Sequence, residues 1–93
     1  MTISGNNPYA IVYLKVVATE DVPKLPKSIK ISIERAIKER LMLDPIGFGK
    51  PLRYSLKGHR RLRVGDYRIV YRIELAKNQV LIIAIKHRKD IYE

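Results

Sequence analysis

Ninety-three residues allow one compact core and leave no room for a second. Nineteen Lys and Arg against nine Asp and Glu set a net charge of +10, which draws polyanions such as nucleic acid, an acidic protein or an anionic membrane surface. The chain has no cysteine, which excludes disulfides, thiolate catalysis and Cys-ligated metals and fits a reducing, cytoplasmic setting.

Residues 1–8 are polar, with Gly5 and Pro8, and read as a flexible tail ahead of a single domain over 9–93. They lack the basic start and apolar run of a secretory signal. The longest apolar run, residues 80–85, is too short to span a bilayer, so no membrane role is expected. Residues 9–17 (YAIVYLKVV) are β-branched and aromatic, which predicts a first strand. Pro23 keeps any helix over 18–25 short or broken. From 26 to 44 the apolar period changes. Ile29, Ile33, Ala36, Ile37 and Leu41 form one helical stripe, with Pro26 in the first turn and the Asp44-Pro45 pair as the stop. Pro45, Gly47, Gly49 and Pro51 then predict a loop.

Three strands follow: 60–64 and 67–73 around a Gly65-Asp66 turn, then 80–86, which is apolar on both faces and therefore interior. The chain thus predicts an α+β fold of order β-α-(α)-β-β-β, with an antiparallel-rich sheet covered by helix on one face. A two-residue turn sets Val64 opposite Tyr67, Arg63 opposite Arg68 and Leu62 opposite Ile69. Alternation then sends His59, Arg61, Arg63, Arg68 and Arg72 to one face and Leu62, Val64, Tyr67, Ile69 and Tyr71 to the other. Like charges placed directly opposite are destabilising. Nearby acids are few, so either a polyphosphate ligand offsets the repulsion or the face is simply a solvated basic surface. After the last strand, Lys86-His87-Arg88-Lys89 and Tyr92 add groups suited to clamping phosphate and stacking bases.

The PKLPK lead-in to the helix, the Asp44-Pro45 stop, the RLRVGDYRIVY hairpin and the closing HRKDIY occur in an order and spacing that resemble the RelE/ParE superfamily of toxins, on the RelE side. The resemblance runs from about residue 9 to 92. It implies a RelE-like fold and an mRNA interferase that enters the ribosomal A site, cuts the message without metal or cofactor, and is held inactive by an acidic RelB-like antitoxin. Operator DNA would be met only through the toxin–antitoxin complex. Matched position by position, the family's basic residues on the second strand fall on Arg61 and Arg63. Its later arginines fall on Arg68 and Arg88, and its C-terminal tyrosine on Tyr92. His59, Arg60, Arg72, Lys86 and Lys89 would supply further RNA contacts. The second-strand positions are often lysine in the family and are arginine here, and His87 stands where some relatives use a catalytic histidine.

The implied reaction is attack of a ribose 2′-hydroxyl on the adjacent phosphate, leaving a 2′,3′-cyclic phosphate. Arginine stays protonated and suits phosphorane stabilisation. Proton transfer would fall to His87, whose imidazole is the side-chain type that titrates near neutrality, or to Tyr92 helped by surrounding positive charge. Three rivals share the same features: a ParE-type inhibitor of DNA gyrase, a plain nucleic-acid-binding module, and a toxin relic that only binds its antitoxin.

Overall fold

The computed structural model describes residues 8–53 and 56–90. Residues 1–7 of the expected tail, and Tyr92, lie outside the described residues.

Strand β1 (Ala10–Tyr13) is shorter than the predicted strand over 9–17. Helical winding takes over at once, with the Ala18 N–H donating to the Leu14 carbonyl at 3.1 Å. A single π-type turn, Val17–Asp21, is closed by the Val22 N–H on the Val17 carbonyl at 2.9 Å. The β-branched composition of this stretch is overridden by burial, because the bend drops Val17 completely into the core.

Helix α1 (Lys27–Ala36) uses the predicted stripe: Ile33, Ala36, Ile37 and Leu41 are buried, and Ile29 packs beside them. The predicted helix to residue 44 ends earlier. Its last turn, Ile37–Leu41, widens so that the Met42 N–H reaches back five residues to the Ile37 carbonyl. The Asp44-Pro45 pair starts a new element instead of only stopping the old one. The Asp44 Oδ1 accepts from the Gly47 N–H at 2.9 Å, and Pro45 occupies the first turn of α2 (Pro45–Phe48). A two-residue edge strand, β2 (Lys50–Pro51), follows. Both elements fall where the sequence predicts only loop.

Strands β3 (Arg60–Val64), β4 (Tyr67–Glu74) and β5 (Gln79–His87) complete a five-stranded sheet of order β1-β5-β4-β3-β2. All neighbours are antiparallel except β1, which runs parallel to β5. The helices cover one face, where Leu62, Ile69, Tyr71, Val80, Ile82 and Ile85 meet the α1 stripe and Val17. Strict alternation cannot bury both Ile82 and Ile85. A bulge resolves this: Val70 pairs with Ala84 but Tyr71 pairs with Ile82, so Ile83 is the extra residue and both isoleucines face the core. Among the described residues no helix is long and apolar enough to cross a membrane.

Candidate nucleic-acid interface

The site grows from the β3–β4 turn. Gly65 adopts φ +59, and Asp66 is not among the positive-φ residues, so only the first loop position needs glycine. The turn fixes the predicted register, with Val64 opposite Tyr67, Arg63 opposite Arg68 and Leu62 opposite Ile69. One strand further, Arg68 pairs with Lys86. Arg63, Arg68 and Lys86 therefore form one cross-strand row of three cations.

Arg68 is only 8 % exposed. Its Nη1 donates to the carbonyls of Gly65 and Tyr67, at 3.3 and 3.2 Å, which holds the guanidinium against the hairpin turn. The chain after β5 returns to the same turn. The Arg88 N–H donates to the Asp66 carbonyl at 2.7 Å, and its side-chain Nε lies 3.7 Å from the Asp66 carboxylate. Arg68 and Arg88, distant in sequence, are thus both anchored at one turn. This face is less open than alternation alone implies, since Val70, which shares it, is buried.

The remaining candidates are dispersed. Arg61 shares the face, opposite Val70 on one side and Lys50 on the other. Arg63 is exposed on the same face. Arg72 is ion-paired with Glu74 at 3.4 Å, and His59 Nδ1 lies 3.3 Å from the Leu56 carbonyl. Arg60 has the opposite parity and turns to the helix side, where its Nη2 donates to the carbonyls of Ile46 and Gly49 at 2.6 and 2.8 Å. That guanidinium braces α2. His87 pairs with Tyr67 across the strands and packs edge-on against its ring, centroids 5.2 Å apart. It therefore lies on the helix side, away from the arginine row. Its Nδ1 accepts from the Lys89 N–H at 3.2 Å, which in the neutral ring places the proton on Nε2. Tyr92 lies outside the described residues.

Sequence reasoning missed Asp21, which is 4 % exposed. Its Oδ2 accepts from the Ile85 N–H at 2.9 Å, on the stretch of β5 beyond the last β1 pair, and its Oδ1 accepts from Lys86 Nζ at 2.8 Å. Nothing local marks this residue, because its partners lie more than sixty positions away. The clasp turns the Lys86 ammonium over the sheet edge and neutralises one member of the row.

Removing the carboxylate leaves a buried N–H without an acceptor, so Asp21→Ala is expected to cost about 1–3 kcal/mol in urea unfolding. The hydrogen bond to Asp21 is the main cause that raises the Lys86 pKa above its ordinary 10.5. A raised lysine pKa contributes stability that is fully present below the unfolded value and is lost as pH rises through the folded one. The Lys86 part of the clasp should therefore fade only above about pH 10.5. Wild type and Lys86→Met should converge in stability there.

A model described as "ParE toxin of type II toxin-antitoxin system, parDE" matches residues 12–92. The chain is similar to "Toxin RelG" of Mycobacterium tuberculosis, 36 % identical over 85 residues that cover 91 % of this chain and 97 % of the relative. It is also similar to "Toxin RelE" of the same organism, 34 % identical over 90 residues covering 97 % and 92 %. Among solved structures, the fold matches a chain of the M. tuberculosis toxin–antitoxin complex RelBE2 with a TM-score of 0.82, at 33 % identity and 91 % and 97 % coverage. Hairpin, terminal turn, helical cover and whole-chain similarity agree, and the chain belongs to the RelE/ParE superfamily of toxins from type II toxin–antitoxin systems.

Proposed function

We propose that this toxin is a ribosome-dependent endoribonuclease that cuts message in the A site. The observation that supports this reading best is the anchoring of both Arg68 and Arg88 at the Gly65-Asp66 turn, beside the Arg63–Arg68–Lys86 row. Asp66 and Asp21 offset part of the charge of Arg88 and Lys86 in the free protein, and a bound phosphate would be held by the same cations, most strongly when it gains charge as a phosphorane. In the proposed step the 2′-oxygen loses its proton and bonds to phosphorus, the bond to the 5′-oxygen breaks, and that oxygen receives a proton. Arg68 and Arg88 stabilise the extra charge, and Arg61 and Arg63 hold the flanking phosphates.

We assign proton transfer to Tyr92 rather than His87, because the His87 ring is turned to the helix side against Tyr67. His87→Ala should accordingly keep cleavage within about threefold of wild type, well short of the ~10²–10⁴-fold that a general acid or base contributes. A loss of that larger size with unchanged melting would return the role to His87.

The partner that fits the +10 field is an acidic RelB-like antitoxin, and the fold's similarity to the RelBE2 complex supports one. Operator DNA would be reached only through that complex, and a ribosomal target implies action in the cytoplasm. The test is primer extension on message in programmed ribosomes. Cuts at A-site codons are expected, and a 2′-deoxyribose at the attacking position should abolish them. The ParE-type family model favours a second reading, inhibition of DNA gyrase. Intact message together with gyrase-dependent DNA breaks would select it.

A further inference from the structure

We infer that Phe48 is a stacking platform for an unpaired nucleobase, set in a cationic cleft beside the phosphate-binding arginines. The inference rests on the nucleic-acid reading above and adds a subsite to it. The cleft, of about 170 Å³, is lined by Arg40, Phe48, Lys50, Arg61, Leu62 and Arg63. Four of those six residues are cations and none is acidic. The volume is below the ~300–1,000 Å³ of enclosed small-molecule sites and suits one flat ring lying on another. Phe48 is 50 % exposed, the most exposed aromatic side chain among the described residues, ahead of Tyr13 at 37 %.

The fold explains why the ring stands there. Strand β2 pairs Lys50 with Arg61 and Pro51 with Arg60, so counting back from Lys50 the antiparallel direction carries Phe48 toward Arg63. The backbone beneath the ring is braced from several sides. Arg60 Nη2 donates to the carbonyls of Ile46 and Gly49, the buried Tyr71 hydroxyl donates to the Pro45 carbonyl at 2.6 Å, and Asp44 caps the turn through the Gly47 N–H. An exposed aromatic ring on a turn held by the buried Tyr71, the half-buried Arg60 and the Asp44 cap is pre-organised, so stacking on it incurs little ordering cost. Cations that track a backbone beside an aromatic face are the two components of sequence-tolerant single-strand binding. An acidic peptide would satisfy the charge as well. Continuity with Arg61 and Arg63, which also belong to the hairpin's arginine face, favours nucleic acid.

The test is fluorescence anisotropy of the full chain with a labelled single-stranded RNA of about eight nucleotides. Phe48→Ala should weaken binding about tenfold, and Phe48→Trp should preserve it, whereas Phe48→Leu should not. The salt slope should be unchanged in Phe48→Ala and smaller by about 0.7 in Lys50→Ala. Melting of the Phe48 variants should match wild type, since the ring is half exposed. Wild-type affinity in Phe48→Ala or Phe48→Leu overturns the platform, as does a wild-type chain that fails to bind the oligonucleotide at low salt. Unchanged RNA binding with lost binding of a Glu/Leu-alternating peptide also overturns it and marks a protein-binding face. None of these results bears on message cleavage, which primer extension reads separately.

Discussion

Arg68→Ala is expected to slow A-site message cleavage by about 10²–10³-fold while leaving the protein folded. The rate effect follows from position. Arg68 is held at the turn by the Gly65 and Tyr67 carbonyls, so its charge is aimed before substrate arrives and needs little reorganisation during the reaction. Its partial burial lowers the local dielectric and strengthens its pull on a phosphorane relative to a solvated cation. Some stability should be lost with those two bonds and the buried stem, and relief of repulsion from Arg63 directly opposite offsets part of it. Arg68→Lys separates charge from geometry. It keeps the cation but loses the planar fork, so it should recover only part of the rate. Single-turnover cleavage on programmed ribosomes, with thermal melting alongside, checks both. An Arg68→Ala protein that melts normally and cuts at the wild-type rate would remove Arg68 from the reaction.

The second large effect concerns the fold. Gly49→Ala is expected to destabilise the protein by about 3–5 kcal/mol, combining overpacking with loss of a buried hydrogen bond. A Cβ on Gly49 would lie 1.8 Å from the Tyr71 hydroxyl oxygen, 2.8 Å from Cζ of the same ring and 3.1 Å from the Arg61 carbonyl. Neither neighbour yields easily. Tyr71 is fully buried in the centre of the sheet, and its hydroxyl is tied to the Pro45 carbonyl at 2.6 Å. Burial raises the Tyr71 pKa despite the opposing influence of Arg60, so the phenol stays a neutral donor throughout the physiological range. The glycine is required by this close approach and not by its backbone angles, since φ −94 and ψ 174 are open to any residue. In a domain of this size each 1 kcal/mol lowers Tm by about 4–8 °C, so the loss should be evident in a simple melt. Tyr71→Phe in the Gly49→Ala background removes the closest clash and should cost less than the sum of the two single changes. Additive costs would show that the strain lies elsewhere.

The α1 stripe and the hairpin register were legible in the sequence because each depends on neighbours within a turn or a few strand residues. Ile33, Ala36, Ile37 and Leu41 repeat at helical spacing, and a two-residue Gly-Asp turn leaves little choice in what faces what. The family resemblance was legible in the same segments. Periodicity alone could not foresee the bulge at Ile83, which arises because Ile82 and Ile85 both gain by facing the core. Composition likewise made Arg60, Arg68, Lys86 and Arg88 one class of cation. Only the packed structure gave them different tasks: bracing α2, sitting buried in the row, engaging Asp21, and returning to the hairpin turn. Asp21 and Phe48 depend on it still more, since the partners of one lie across the chain and the exposure of the other follows from where β2 begins. Periodicity and turn chemistry are local and can be read along a chain. Which charge is buried, paired or presented is set by contacts between residues far apart in sequence, and those exist only once the sheet and its helical cover have closed together.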